Sequence, residues 1–205
     1  MRQFLISPHG NRFGDEDHFA GVEKLPAAVF FQVWLATNFA RGLPRTNNRM
    51  VPMNETQRIA DAYRAVTLQG AWYGPTLAEL TAKTSPEEAT TPPTPGAHSI
   101  SELLQHMLLW NERVRNTSDS TPMPKWEAEK EWAEAPIPWN ELVARWNKSR
   151  DLLEERIRNF PVADLGKQVP GRTYPFETLL PGIVQHTIYH SGQIAMVLSM
   201  LRGRS

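Results

Sequence analysis

Residues 175–202 read PFETLLPGIVQHTIYHSGQIAMVLSMLR, and this stretch decides the fold class. Its apolar residues recur every three or four positions, which is the period of one buried face of an α-helix. They are Leu179, Leu180, Ile183, Val184, Ile194, Val197 and Leu201. Pro175 stands where a proline is tolerated in a first helical turn, whereas Pro181 and Gly182 predict a kink or a later start. The stretch therefore predicts a long helix that packs against other helices.

The helical period also covers the segment that follows residue 52. Its apolar positions are spaced 4, 3, 4, 3, 4 and 3 residues apart: Ile59, Tyr63, Val66, Gly70, Tyr73, Leu77 and Leu80. We predict one helix over these residues, bent at Gly70 and at Gly74-Pro75, because proline inside a helix kinks it. Residues 84–97 are rich in Thr, Pro, Glu and Ala and predict a loop.

Two more helices complete the set. Ser99 and Glu102 have the S-x-x-E spacing of a capping box, which predicts a helix from there to about Arg115. The next helix enters at Pro138 and separates apolar from charged residues as far as Phe160. No strand-like alternation interrupts the pattern. We predict an all-α fold, a four-helix bundle formed by residues 53–205.

Two segments fall outside this pattern. Residues 1–52 combine Gly- and Pro-containing runs with one apolar stretch, and we predict an irregular N-terminal extension that is not part of the bundle. Residues 116–138 are rich in Pro, Trp and Glu and predict an excursion over the bundle. A short helix at residues 127–134 of this excursion could cover a pocket.

Composition excludes several classes of protein. Lys and Arg together number 22, as do Asp and Glu, so no bulk charge favours nucleic acid. There is no cysteine, which rules out disulfides and thiolate ligands. The longest apolar stretch, residues 27–40, is shorter than the roughly 20 residues that cross a bilayer. We expect a cytoplasmic protein with no membrane span and a small-molecule substrate.

The histidines suggest a metal site. His186 and His190 are four residues apart on one helix, so their rings lie about 40° apart and about 6 Å along the axis. His106, at the border of the buried face of the second helix, is the candidate third ligand. Three imidazoles leave coordination positions open, as catalytic zinc-type sites do, but do not choose between Zn, Ni, Fe and Mn. The alternative is that these are histidines of a helix interface; His98 is a packing or turn residue, and His9 and His18 have no assigned role.

The same residues carry a family resemblance. The segments Gly96–His106 and His186–Ile194, together with Trp110 and Ala71–Pro75, resemble the DinB-like superfamily of damage-inducible metalloproteins. The resemblance covers about residues 53–203. It implies a four-helix bundle that holds a divalent metal through His106, His186 and His190. Relatives include transferases and an isomerase that use low-molecular-weight thiols, and others described only as hydrolases, so the resemblance leaves the reaction open.

The residue types favour one of these reactions. Three neutral histidines leave the full charge of about +2 on a divalent ion, which attracts hydroxide or thiolate. Hydrolysis also needs a base, which HExxH motifs supply as Glu, but the corresponding residue is Thr187. Coordination alone is enough to activate a thiol. We therefore predict a metal-dependent thiol transferase, with a hydrolase as the alternative; Glu102 is the candidate base, although capping explains it.

Six further residues are predicted to line the pocket or orient ligands: Tyr63, Tyr73, Trp110, Arg113, Tyr189 and Gln193. Arg113 lies two turns after His106 and could pair with a substrate carboxylate. Two interpretations without catalysis stay open. One is a stress-related metal-binding module, and the other is a bundle that forms a homodimer, or binds a partner, through its Trp-bearing segment.

Overall fold

The structure is a computed structural model and describes residues 53–125, 132 and 135–203. Within these ranges the chain is helical and contains no strand, which confirms the all-α prediction. The helices are α1 Glu55–Thr67, α2 Leu77–Lys83, α3 Pro86–Thr90, α4 Ile100–Asn116, α5 Trp139–Arg158 and α6 Phe176–Arg202. A 3-10 turn, Val162–Asp164, lies between α5 and α6. The predicted extension and, Trp132 apart, the predicted helix at 127–134 lie outside the described residues.

The predicted continuous helix over residues 59–80 is wrong. It is divided into α1 and α2 because Gly70 has φ +94°, a conformation that favours glycine, and because Pro75 cannot donate to a preceding helical turn. Thr76 then caps α2 in a capping box with Glu79. The T-x-x-E spacing of these two residues in the sequence indicates a separate helix that begins here.

The loop predicted at residues 84–97 is also partly wrong. It contains α3, which begins with a capping box between Ser85 and Glu88 and with Pro86 in its first turn. The capping box predicted at Ser99 and Glu102 is confirmed, and α4 ends one residue beyond the predicted Arg115. Helix α6 begins at Phe176 and continues through Pro181, so the alternative start after that proline is wrong.

Two ion pairs between α1 and α5 show the relative directions of these helices. The guanidinium of Arg64 lies 3.3 Å from the carboxylate of Glu154, and that of Arg158 lies 2.7 Å from the carboxylate of Asp61. Residue numbers rise on α1 as they fall on α5, so the two helices are antiparallel.

The buried apolar residues form two clusters, one toward each end of the bundle. The α1 core includes Ile59, Val114, Leu153 and Val184. The α2 core includes Leu77, Leu104, Trp146 and Ile194. Helices α4 and α5 therefore run in the same direction from the α2 core to the α1 core, and α6 runs the opposite way. The short helices α2 and α3 cover the end that the 13-residue α1 does not reach.

Among the described residues, no helix is both long enough and apolar enough to span a membrane.

Candidate metal centre

Three histidine side chains converge where α4 crosses α6. His106 comes from α4, and His186 and His190 come from successive turns of α6. One ring nitrogen of each residue lies within 4.8 Å of one ring nitrogen of the other two. The Nε2 atoms of His106 and His186 are 3.1 Å apart. The structure thus brings together three residues that are up to 84 positions apart in the chain.

The helix packing explains why these side chains meet. His186 and His190 lie on α6 between Val184 of the α1 core and Ile194 of the α2 core. The antiparallel α4 presents His106 at the same level, next to the buried Met107. His106 and His190 are 8% and 6% exposed and His186 is half-buried, so most of the cluster lies inside the bundle.

One hydrogen bond sets the orientation of His190. Its Nδ1 lies 2.6 Å from Oε1 of Gln193, and Nε2 of the same amide donates to the hydroxyl of Tyr189 at 3.2 Å. With the amide oxygen facing the ring, Nδ1 carries the hydrogen and donates it. The other ring nitrogen, Nε2, therefore keeps its lone pair, as a metal ligand requires.

Burial keeps the two histidines of α6 neutral. It holds the pKa of His186 well below its ordinary value, and the neighbouring His190 and His106 lower that pKa further because a second positive charge nearby is unfavourable. Burial also lowers the pKa of His190, whereas the hydrogen bond that its Nδ1 donates to Gln193 raises that pKa. Neutral imidazole is the form that binds metal ions.

The chemistry of all three donor atoms, and the spacing of one pair, fit a divalent transition-metal ion. Two nitrogens bound to one tetrahedral ion at about 2.0–2.1 Å stand about 3.3 Å apart, close to the 3.1 Å between His106 and His186. An all-imidazole set suits such an ion better than it suits calcium or magnesium, which prefer oxygen.

Neither residue considered as a base belongs to this cluster. Within the described ranges, the group that could hold a metal ion contains histidines alone. The carboxylate of Glu102 accepts hydrogen bonds from the backbone N–H and the hydroxyl of Ser99, at 2.8 and 2.9 Å, which confirms its capping role. The hydroxyl of Thr187 donates to the carbonyl of Ile183 at 2.8 Å and is buried.

Trp132 lies between His98 and His106. Its ring centroid is 3.6 Å from that of His98 and 4.4 Å from that of His106, and both imidazoles are nearly parallel to the indole. Two imidazoles this close to the centre of the indole ring would overlap if they lay on the same face of it. They therefore cover its opposite faces. Sequence reasoning did not assign Trp132 to the site, because nothing near it in the chain indicates which helix it contacts.

The other residues that were predicted to line the pocket divide into those beside the histidine cluster and those away from it. Trp110 lies beside the cluster, with its ring centroid 5.7 Å from that of His186, and the guanidinium carbon of Arg113 lies 5.2 Å from the Trp110 ring. Tyr189 is 59% exposed and its ring centroid is 4.9 Å from that of His190.

Tyr63 and Tyr73 belong to the second group and have no ring contact with the three histidines in the described structure. Tyr63 is fully buried in the α1 core, where its hydroxyl accepts a hydrogen bond from Asn111 at 2.6 Å. Burial raises the pKa of Tyr63 far above its ordinary value. Tyr73 is half exposed in the loop between α1 and α2, where it contacts Trp72.

A family model, described as the DinB superfamily, matches residues 72–194, well over half of the chain. The matched range contains all three histidines of the cluster, the whole of α4, and α6 as far as Ile194. No curated protein and no solved structure matches the chain.

Proposed function

Because this chain belongs to the DinB superfamily, we propose that it is a metal-dependent enzyme that joins a low-molecular-weight thiol to a small electrophilic molecule. His106, His186 and His190 would hold the divalent ion. The observation that carries the proposal is the cluster of three histidines, with no carboxylate of the described residues among them.

The chain's own residues prepare the site for a thiol. When bound, a divalent ion supplies the positive charge that lowers the pKa of a thiol. The uncharged imidazoles do not reduce that charge, and Gln193 holds the ring of His190 in the tautomer that can bind. The rings of Trp110 and Trp132 lie against those of His186 and His106 and cover part of the cluster, and reduced contact with water strengthens electrostatic interactions.

The two residues that could have acted as a base, Thr187 and Glu102, support thiol transfer over hydrolysis. A hydrolase of the HExxH type needs a base beside the ion to activate water. Thr187 stands at that position and its hydroxyl donates to the backbone of its own helix, whereas Glu102 is engaged in the cap of α4. A thiol needs no such base, because its proton passes to solvent once its pKa falls below the ambient pH.

The experiment measures metal content first and conjugation second. The purified protein is assayed with several small thiols and monochlorobimane, an uncharged electrophile; a sulfur–carbon bond forms, chloride leaves and the thiol proton goes to solvent. We expect turnover that requires metal, saturates with thiol concentration and persists below the free-thiol pKa of about 8.5.

Variants connect turnover to the cluster. His106→Ala, His186→Ala and His190→Ala should each lose most of the metal and the turnover, because two ligands form a weak site. His9→Ala and His18→Ala serve as controls and should lose neither. Ester or amide cleavage without any thiol would establish the hydrolase instead. Stoichiometric metal without turnover would indicate a binding module.

A further inference from the structure

A cavity of about 390 Å³ opens beside His106, between α3, the first turns of α4 and residues Trp132, Pro136 and Ile137. Its volume lies within the range of about 300–1,000 Å³ that is usual for small-molecule sites. Because His106 belongs both to its wall and to the histidine cluster, a molecule in the cavity would lie next to one of the three proposed metal ligands.

The wall of the cavity is mainly apolar or uncharged. Pro92, Ala97, Leu109, Pro136 and Ile137 form its apolar part. Trp132 contributes the edge of its ring, because His98 and His106 cover its two faces. Such a wall suits a compound with an apolar body, since that body leaves water when it binds.

Glu102 gives the cavity its electrostatic character. Of the described residues that line it, none is Lys, Arg or Asp, and Glu102 is the one Glu. Its side chain is 52% exposed, although Oε2 is engaged in the cap of α4. The same oxygen lies 3.9 Å from Nδ1 of His98. A carboxylate on the wall of a cavity attracts cations and repels anions.

The position of Glu102 along α4 orients such a molecule. Glu102 precedes His106 by four residues, which places it about one helical turn, or about 6 Å, toward the N-terminus. A compound that spans this distance would have its cationic group at Glu102 and its opposite end at His106. The cation would then lie at the end of the cavity that is farther from the proposed metal ion.

We propose that this cavity binds the electrophilic co-substrate, a small molecule with an apolar body and a primary ammonium or similar cationic group that pairs with Glu102. This inference rests on the proposed function for the identity of the reaction. The binding preference itself can be measured without any reaction.

The test compares two unreactive compounds of the same shape, benzylamine, which is protonated at neutral pH, and benzyl alcohol. Their dissociation constants are measured by NMR titration of the purified full-length protein. We expect benzylamine to bind about 1.5- to fivefold more tightly, the range of a partly exposed ion pair. Equal affinities, tighter binding of the alcohol, or binding of neither would overturn the proposal.

Glu102→Gln removes the charge and keeps the cap, because Gln serves in capping boxes, as Gln57 does with Asn54 at the start of α1. In this variant the preference for benzylamine should disappear while the affinity for benzyl alcohol stays the same. A preference that survives would place the cation elsewhere and overturn the role of Glu102.

Ala97→Leu tests the location of the cavity. The larger side chain should weaken the binding of both compounds, whereas Ala163→Leu, at an exposed position of the 3-10 turn, should not. Unaltered binding in Ala97→Leu would exclude this cavity. Intact binding without thiol-dependent turnover would refute the proposed function alone, and turnover without the cation preference would refute this inference alone.

Discussion

At the scale of single residues, the side chains that orient a ligand matter as much as the ligands. Gln193 is not a candidate metal ligand itself, because its amide cannot compete with three imidazoles for the ion. Its role follows from one hydrogen bond, which assigns the proton of His190 to Nδ1. Without that bond the ring could rotate or carry its proton on the nitrogen that should bind.

Replacement of Gln193 should therefore weaken the metal site. We expect Gln193→Leu to reduce metal affinity about 10- to 100-fold, the usual effect of losing a partner that holds a ligating histidine. Competition with a chromogenic chelator measures this. Gln193→Glu keeps an acceptor for Nδ1 and should retain the affinity. Gln185→Leu is a control on the same helix, and the same affinity in Gln193→Leu and in this control would contradict the role assigned to Gln193.

At the scale of secondary structure, the break between α1 and α2 has the largest consequence. A continuous helix would have extended past the end of the α1 core. The break instead allows the seven-residue α2 to turn into the α2 core through Leu77 and Leu80. It also removes Tyr73 from the buried face on which the 3-4 spacing had placed it.

Substitution of Gly70 distinguishes the broken helix from a continuous one by the sign of its effect. Because Gly70 has φ +94°, Gly70→Ala should lower the free energy of unfolding by about 1–2 kcal/mol. In a continuous helix the same change would raise it by about 1 kcal/mol. Urea denaturation measures the difference. Gly74→Ala is the matched control, since Gly74 has an ordinary φ and no atom within 4 Å of an added Cβ.

The short helix α3 depends on contacts from distant parts of the chain. Five residues are too few for a stable isolated helix. Arg202, at the end of α6, lies 2.8 Å from the carboxylate of Glu88, and the indole N–H of Trp139 donates to the carbonyl of Thr84 at 3.2 Å. These contacts position α3 as one wall of the cavity beside His106.

At the scale of the whole molecule, the histidine cluster connects α4 to α6 at the junction of the two cores. An ion bound by all three histidines would stabilise the folded state, because the unfolded chain does not hold the ligands together. The site and the stability of the bundle are thus expected to be coupled.

Removal of the metal should lower the melting temperature. The stabilisation by a bound ion is about 2.7 kcal/mol when its free concentration is a hundred times its Kd. Calorimetry before and after dialysis against a chelator measures the shift, and His106→Ala should show little or none. If the melting curve of the wild type stays the same after verified metal removal, the site is not coupled to folding.

Interactions within one or two helical turns could be predicted from the sequence alone. The helical character of α4, α5 and α6 follows from the spacing of their apolar residues, and the cap of α4 from Ser99 and Glu102. The pairing of His186 with His190 is equally local, because four residues on a helix determine the relative position of two side chains. The break at Gly70 also depends on neighbouring residues only, and the capping residue Thr76 in the sequence indicates that a new helix begins after it.

Tertiary structure alone decided how these local units meet. The sandwich of Trp132 between His98 and His106, the cavity beside it, and the placement of Tyr63 in the α1 core depend on which helices are neighbours and in what register. A residue's spacing shows which face of its helix it occupies, but not which element covers that face. That choice minimises the free energy of the whole packed chain, and it places Tyr63 against Asn111 while His106 meets two histidines about 80 residues away.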